Sequence, residues 1–425
     1  MREDFLHYLW KHKKLDVAKL QTTTNEPVEI VSVGQHNHHA GPDFFNAQLR
    51  IGYQLWAGNV EIHVKSSDWF VHNHEVDAAY DNVILHVVWE HDTEIFRQDN
   101  TAIPTLELKR FVSEKALKQY QKLFAQNDQW INCETELPTL DDFTIQNWLE
   151  RLFFERLEHK SAVIEQQLNA SNNNWEAVLF TMLTKNFGLK VNGDAFLSLA
   201  NTIDFSIVRK TQHDILSLEA LLFGQAGLLD NEVQEPYSVH LKKEYGFLKH
   251  KFELSNDQVL PLQFFRLRPS NFPTVRLSQL AQLYYTHHTL FSKVIDIDCV
   301  AGYYDLFQVS ATDFWATHYT FSKASKRTSK RLTKTFIDLL LINTIIPLKF
   351  SYAKHLGNLD EQAVVKLTKS IRPERNSIVD TFHQIKPMAT SVIQSQALLE
   401  LKRNYCDKNK CLQCAIGHQL LTINS

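Results

Sequence analysis

Residues 53–65, YQLWAGNVEIHVK, and residues 82–91, NVILHVVWEH, decide the fold of the first part of the chain. In the first stretch apolar residues alternate with Glu61, His63 and Lys65, which predicts a strand with one apolar and one ionisable face. The second stretch is almost wholly apolar at its centre, which predicts a central strand buried on both faces. Three further stretches are strand-like between turn residues; they are VEIVSVG (28–34), FFNAQLRIG (44–52) and PTLELKR (104–110).

Helical periodicity replaces this pattern from about residue 112 onward, and a short amphipathic helix over residues 3–13 precedes the strands. The length of 425 residues indicates two or three domains. We therefore predict an α+β chain with a mixed α/β domain in residues 1–125, a larger α-helical region in 126–400 and a cysteine-rich tail in 401–425.

The composition is that of a globular protein, with 44% hydrophobic and 22% charged residues. The net charge of −3 gives no overall signal for nucleic-acid binding. The N-terminal residues lack the apolar segment of a signal peptide, so we expect a cytoplasmic protein with reduced cysteines. The longest apolar stretch, residues 336–348, is too short to cross a bilayer; it predicts a buried helix that ends near Pro347, and no membrane partner.

Histidines are concentrated in the β-rich part of the chain. Eight of the 20 lie between residues 36 and 91, far more than an even spread would place there. These are His36, His38, His39, His63, His72, His74, His86 and His91. Asp43 and Glu61 lie in the same segment, and imidazoles and carboxylates together are how proteins build metal sites and general acid–base pairs.

Pro42-Asp43, followed after 17 residues by Glu61-x-His63-x-Lys65, resembles the PD-(D/E)xK nuclease signature. The resemblance implies a restriction-endonuclease-like domain in which Asp43 and Glu61, on neighbouring strands, hold Mg²⁺ or Mn²⁺. It also implies a lysine two residues after the second acid, to orient the attacking water. His63 occupies that position here, so either His63 replaces the lysine or Lys65 reaches in from the next pleat.

Two other interpretations of these residues stay open. The ionisable strand face could be an exposed surface with weak cross-strand charge pairs. Alternatively, a different metal-dependent hydrolase could use His63, His72, His74 or His86. His72 and His74 would share one face if their segment were extended, whereas a single histidine in an apolar strand, as at His86, is more often a core residue.

Three stretches of the β-rich part resemble a bacterial family known as domain of unknown function 2851: GPDFFNAQLRIG, WAGNVEIHVKSSDW and YDNVILHVVWEHD. Three later stretches are similar to the same family: RLRPSNFPTVRLSQLAQL, LLINTIIPLKF and SQALLELKRNYCDKNKCLQCAIG. The resemblance covers essentially the whole chain. It implies a cytosolic bacterial protein and no particular activity.

The tail carries the spacing Cys406-x4-Cys411-x2-Cys414. Three cysteines within nine residues in a reducing compartment indicate a metal site, because a C-x2-C pair lets two thiolates meet one ion. Cys133 and His418 are the two candidates for the fourth ligand. We expect zinc, ahead of an iron–sulfur cluster; the alternative is three unligated thiols, with or without a redox-active pair. We expect the remaining cysteine, Cys299, to be a buried apolar residue.

Residues 322–334, SKASKRTSKRLTK, contain six basic residues and no acid. On a helix they would form one basic stripe suited to a phosphate backbone, although a solvated helix face is the commoner explanation of such a pattern. The basic residues are Lys323, Lys326, Arg327, Lys330, Arg331 and Lys334.

These observations favour a metal-dependent phosphodiesterase, and specifically a nuclease. Asp43 and Glu61 would hold Mg²⁺ or Mn²⁺, His63 or Lys65 would orient water, and the basic residues would contact DNA or RNA. One alternative is a non-enzymatic nucleic-acid-binding or scaffold protein with a structural metal. A second alternative is a histidine-ligated zinc or iron hydrolase of a small molecule.

Overall fold

The structure is a computed structural model that describes residues 1–37, 39–125, 129–230 and 235–422. The chain divides into two units. The first consists of Met1–Trp148 together with Lys402–Ser425, and the second of Leu149–Leu401. The first unit therefore extends past residue 125 and includes the cysteine-rich tail, which the sequence analysis treated as a separate part.

A six-stranded mixed sheet forms the centre of the first unit. Its strands are β1 (Val28–Ser32), β2 (Gln35–His36), β3 (Phe44–Ile51), β4 (Gln54–Lys65), β5 (Val83–Glu90) and β6 (Thr105–Glu107). Their order is β1-β3-β4-β5-β6, and β2 also pairs with β3. β1, β3 and β4 are antiparallel neighbours, whereas β4, β5 and β6 are parallel neighbours. A mixed sheet followed by a larger helical part confirms the predicted α+β class.

Strands β4 and β5 confirm the patterns that predicted them. Val60 and Ile62 of β4 are fully buried in the main apolar core of the unit, and residues 83–88 of β5 are buried throughout. Glu61 and His63 point to the opposite face of β4, where they are only 5% and 2% exposed. The ionisable face is thus covered, which removes the interpretation of an exposed sheet surface.

Helices from both ends of the chain complete the main core of the first unit. Helix α1 (Glu3–Lys11) contributes its apolar face, as its amphipathic pattern predicted. Helix α3 (Glu114–Phe124) adds Tyr120, and Leu421 comes from the tail. On the other side of β4 the short helix α2 (Asp68–Val71) places Trp69 in a second, smaller apolar cluster.

The second unit is mostly helical. It also contains the hairpin β7 (His318–Thr320) and β8 (Lys323–Ala324). The division between the units falls within α4, and a last helix, α19 (Ala415–Thr422), belongs to the first unit. The helices between them are α4 (Asp142–Ala170), α5 (Trp175–Phe187), α6 (Leu189–Asn201), α7 (Phe205–Thr211), α8 (Ile215–Gln225), α9 (Pro236–Lys251), α10 (Pro273–Thr286), α11 (Leu290–Asp296), α12 (Val300–Leu306), α13 (Asp313–Ala316), α14 (Lys334–Leu340), α15 (Ile346–His355), α16 (Glu361–Lys369), α17 (Ser377–Ile385) and α18 (Val392–Glu400).

The longest apolar stretch differs from its prediction, because the helix continues past Pro347. A π-helical turn, Leu341–Ile345, joins α14 to α15. Proline lacks the N–H that would bond to the preceding turn, and the wider π-helical turn accommodates that loss. The run Lys334–His355 is long and apolar enough for a membrane span by length and composition alone, but 67% of its most apolar window is buried inside the protein.

A buried carboxylate lies inside the second unit. Glu219 of α8 is 1% exposed, and its carboxylate accepts hydrogen bonds from the hydroxyl groups of Tyr237 and Thr312. Burial raises the pKa of Glu219 to about 7, because the ionised form loses its hydration and the hydroxyl donors replace only part of it.

Replacing this carboxyl group should change how stability depends on pH. The unfolded chain ionises Glu219 near its ordinary pKa of 4.5, whereas the folded chain keeps it protonated up to about pH 7, so the wild type loses stability as pH rises through this window. Relative to wild type, the Glu219→Gln variant should therefore gain roughly 2 to 3 kcal/mol between pH 5 and pH 8. Chemical denaturation at a series of pH values measures this difference.

The exposed carboxylate of Glu361, in the same unit, provides the control. Glu361→Gln should follow the wild-type pH profile. If Glu219→Gln also followed it, Glu219 would titrate at its ordinary pKa and the prediction would be wrong.

Candidate functional site

Three of the four predicted catalytic residues, Asp43, Glu61 and His63, lie on the covered face of the sheet. Asp43 immediately precedes β3, while Glu61 and His63 are in β4. The backbone N–H of Asp43 donates to Oε2 of Glu61 (3.0 Å), and the N–H of Ile62 donates to Oδ2 of Asp43 (3.0 Å). The carboxylate of Asp43 thus accepts a hydrogen bond from the backbone of β4, and that of Glu61 accepts one from the residue before β3. The two bonds fix the positions of both carboxylates.

Three imidazoles meet beside Glu61. Nitrogen atoms of His63, His72 and His74 all lie within 4.8 Å of one another. Nε2 of His63 is 3.1 Å from Nδ1 of His72, and Oε1 of Glu61 is 3.5 Å from Nε2 of His63 and 3.4 Å from Nε2 of His74. We call His63, His72, His74 and Glu61 the histidine group.

The segment after β4 brings His72 and His74 together by a turn, not by the extended conformation considered above. His72 ends α2, and Asn73 adopts a left-handed conformation (φ 59°), which asparagine tolerates better than most residues. His74 then stacks on Tyr80 with ring centroids 3.7 Å apart.

Ser66 anchors this segment to the end of β5. Its buried hydroxyl oxygen accepts the backbone N–H groups of Asp92 (2.9 Å) and Thr93 (3.1 Å). Asp92 in turn accepts a hydrogen bond from the backbone N–H of Ser67 (2.9 Å). These bonds set where α2 begins and therefore where His72 points.

His86 lies behind the histidine group in β5, directly opposite Glu61 in register. It is fully buried, and its Nε2 is 2.8 Å from Nδ1 of His63. His86 is therefore both a core residue, as its apolar strand suggested, and the hydrogen-bond partner that orients His63.

Helix α1 adds two residues that sequence reasoning missed. Nε2 of His7 is 3.2 Å from Oδ2 of Asp43, and Glu3 interacts electrostatically with Asp43 and His7. Glu3 and His7 are four residues apart, so they lie on one side of the helix. That spacing was readable in the sequence, but nothing local indicated that this side faces Asp43.

The pKa values reflect a group of carboxyls and imidazoles that, among the described residues, has no lysine or arginine as an ion-pair partner. Burial raises the pKa of Glu61 above its usual range, and the neighbouring Asp43 charge adds to the shift. Burial, together with the adjacent imidazoles, lowers the pKa of His63 to about 3. Burial also lowers the pKa of His7, but hydrogen bonding to Asp43 and its charge outweigh that effect and leave the pKa raised.

Other predicted or neighbouring residues lie outside these contacts. Lys65 has an exposed side chain at the end of β4. Among the described residues, its ammonium forms no ion pair with Asp43 or Glu61. His39 is exposed, and His38 lies outside the described residues. The role of Lys65 in orienting the attacking water remains a prediction.

The basic residues 323–334 do not form a helical stripe. Lys323 is in β8, the following residues have no regular structure, and α14 begins only at Lys334. Lys330 is 6% exposed, because its ammonium lies 3.7 Å from the centre of the Tyr319 ring and donates to Thr328. Lys323, Lys326, Arg327, Arg331 and Lys334 are exposed.

One further group of metal-type ligands occurs among the described residues, at Glu155, His159 and Glu400 of the second unit. Glu400 is buried and already lies 3.4 Å from the guanidinium of Arg156. A cation in the ion pair replaces the need for a metal there, so we regard this group as structural.

The predicted cysteine ligands all belong to the first unit. The thiol of Cys406 interacts electrostatically with those of Cys133, Cys411 and Cys414. His418, the alternative fourth ligand, is directed at α1 instead, where its Nδ1 is 3.1 Å from the hydroxyl oxygen of Tyr8.

The fold and the site define an α+β protein with a histidine- and carboxylate-rich centre in its first unit. The chain belongs to the family described as Protein of unknown function (DUF2851), which matches residues 3–377. This match includes every residue of the histidine group and ends before Cys406. Comparisons with curated proteins and with solved structures give no match.

The anchoring role of Ser66 is testable. Ser66→Ala leaves two partly buried N–H groups without their acceptor, which should lower the free energy of unfolding by about 1 to 3 kcal/mol. Ser67→Ala removes a more exposed hydroxyl bonded to Asp92 and should cost less than about 1 kcal/mol. Equal losses in the two variants, measured by denaturant titration, would contradict this assignment.

Proposed function

We propose that the protein is a metal-dependent phosphodiesterase whose divalent transition-metal ion is held by the histidine group. The observation that carries the proposal is the convergence of three imidazole nitrogens within 4.8 Å beside the buried carboxylate of Glu61. Three nitrogens and one oxygen can hold one ion, and an ion of higher coordination number, such as Mn²⁺, keeps a position open for water.

The ligand types favour a particular class of metal. Imidazole nitrogen suits Zn²⁺ and Fe²⁺, Mn²⁺ favours carboxylate oxygen, and Mg²⁺ prefers oxygen ligands alone. The nuclease signature would place Mg²⁺ or Mn²⁺ between Asp43 and Glu61. In our proposal the ion lies instead on the Oε1 side of Glu61, beside the three imidazoles. Mn²⁺ is compatible with this position and with the position between Asp43 and Glu61.

Charge balance supports a cation at this position. Asp43 and Glu61 lie on one covered face, and within the described residues neither forms an ion pair with a lysine or arginine. A buried carboxylate without a cationic partner is costly. A divalent ion between Glu61 and the imidazoles would offset that cost and keep Glu61 ionised.

His86 would act as the residue that orients a ligand. Metal-binding histidines usually donate their second ring N–H to a neighbouring acceptor, which fixes the ring. With Nε2 of His63 on the ion, its Nδ1–H would donate to Nε2 of His86 across the observed 2.8 Å.

The surrounding residues suit hydrolysis of a phosphodiester. A bound ion would lower the pKa of a water molecule and stabilise negative charge on phosphate. Asp43, which the nuclease signature pairs with Glu61, adjoins this position, and His7 at 3.2 Å from Asp43 is placed to carry a proton. DNA or RNA is therefore the substrate class that we propose.

Metal binding provides the first test. Chelator-treated wild-type protein should bind one Mn²⁺ ion, measured by isothermal titration calorimetry; Mn²⁺ is chosen because thiolates bind it weakly. His72→Ala should weaken binding by roughly 10- to 100-fold or more, because it removes a ligand. His72 is exposed, so its loss should spare the fold.

The exposed His39 supplies the matched control, and His39→Ala should bind Mn²⁺ as the wild type does. No Mn²⁺ binding by the wild type, or equal affinity in His72→Ala, would remove the histidine group as a metal site.

Activity provides the second test. With Mn²⁺, the wild type should cleave labelled single- or double-stranded DNA or RNA, and Glu61→Gln and His72→Ala should each lose about 100-fold or more of that rate. Loss of activity in Lys65→Ala with normal activity in His72→Ala would instead favour the lysine-dependent nuclease. Metal binding without cleavage of any of these substrates would overturn the substrate class and leave the metal site standing.

A further inference from the structure

Four of the five cysteines in the chain lie in the first unit, where the thiol of Cys406 interacts electrostatically with those of the other three. We propose that Cys133, Cys406, Cys411 and Cys414 together bind an iron–sulfur cluster through their four thiolates. All four thiols are unlinked, and each comes from a chain segment whose shape is set by hydrogen bonds.

Two segments, more than 260 residues apart in sequence, supply these thiols. Cys133 lies in a turn in which its carbonyl oxygen accepts the N–H groups of Glu136 (3.2 Å) and Leu137 (2.8 Å). Its neighbour Asn132 donates to Oδ1 of Asn409 (3.2 Å) and to Sγ of Cys411 (3.5 Å). Asn132 therefore ties the turn of Cys133 directly to the cysteine loop of the tail.

The loop around Cys411 and Cys414 is closed by a glycine. A Cβ atom on Gly417 would lie 2.0 Å from the carbonyl oxygen of Cys411, a distance that no side chain permits. Only glycine lets α19 begin this close to the loop. The tight approach keeps the backbone N–H groups that follow Cys414 near its sulfur.

The sulfur of Cys414 lies close to N–H donors. The backbone N–H groups of Ile416 and Gly417 are close enough to this sulfur to oppose the rise that burial causes in its pKa. Such donors favour a sulfur that carries negative charge, and in iron–sulfur proteins N–H groups directed at the cysteine sulfurs tune the cluster.

The separation of the sulfurs favours a cluster over a single zinc ion. Four sulfurs bound to one zinc at about 2.3 Å must lie within roughly 4 Å of one another. Among the described residues, the groups with three or more ligand atoms within 4.8 Å of one another do not include these cysteines. A cluster places several iron atoms between its ligands and so needs the wider arrangement.

The test is a metal and sulfide analysis of the full-length protein, purified without oxygen from cells supplied with iron. We expect about four iron atoms and four acid-labile sulfides per chain, as a four-cysteine ligand set can hold, with visible absorbance that is bleached by reduction with dithionite. Cys133→Ala and Cys411→Ala should lose the sulfide and the absorbance. Cys299→Ala is the control, because Cys299 is exposed and lies in the second unit, contrary to its predicted burial.

Each other outcome counts against the proposal. One zinc ion per chain and no sulfide would overturn the cluster, and iron without sulfide would place the iron elsewhere. If Cys133→Ala does not fold, wild-type apoprotein is incubated with iron and sulfide, and failure to form the absorbance would overturn the site. Because Mn²⁺ binding by the histidine group is measured separately, either proposal can fail without the other.

Discussion

The two hydrogen bonds between the Asp43 and Glu61 regions are the constraint on which the rest of the site depends. They cross from the start of β3 to β4, where the strand register shifts between Phe44 and Ala47. The shift bends the chain so that two carboxylates share one covered face. Two carboxylates placed together in a dry environment are unfavourable, and within the described residues their ion-pair partners are imidazoles alone. The imidazoles of the histidine group and His7 of α1 lie around these two carboxylates.

The two proposed metal centres of the first unit, the histidine group and the four cysteines, differ in the type of ligand atom that they offer. The histidine group offers nitrogen and oxygen, with one exposed member, His72, through which solvent and substrate can approach. The cysteine group offers only sulfur and is closed by Gly417. An accessible site suits a reaction, whereas an enclosed thiolate site suits a permanent cofactor that joins two segments of chain.

Sequence reasoning succeeded where the information is local. Alternation in β4 and the apolar run in β5 determine those strands, because side chains on a strand point to alternate faces. It also selected Asp43, Glu61 and His63, which the structure brings into contact. It could not show that α1 covers Asp43, since that depends on the packing of a helix distant in sequence. It assigned residues 323–334 to a helix from charge spacing alone, although no apolar face was present to hold such a helix. It ended a helix at Pro347, because a π-helical turn has no recognisable sequence pattern.

The first unit is discontinuous, since residues 149–401 are made between its two parts. At about 5 to 20 residues per second, the ribosome needs roughly 10 to 50 s to make that intervening stretch. Throughout this interval the sheet and α1 exist without Leu421, and Cys133 exists without its three partners. The part of the protein that is synthesised first is therefore the part that is completed last, and its final assembly waits for the end of translation.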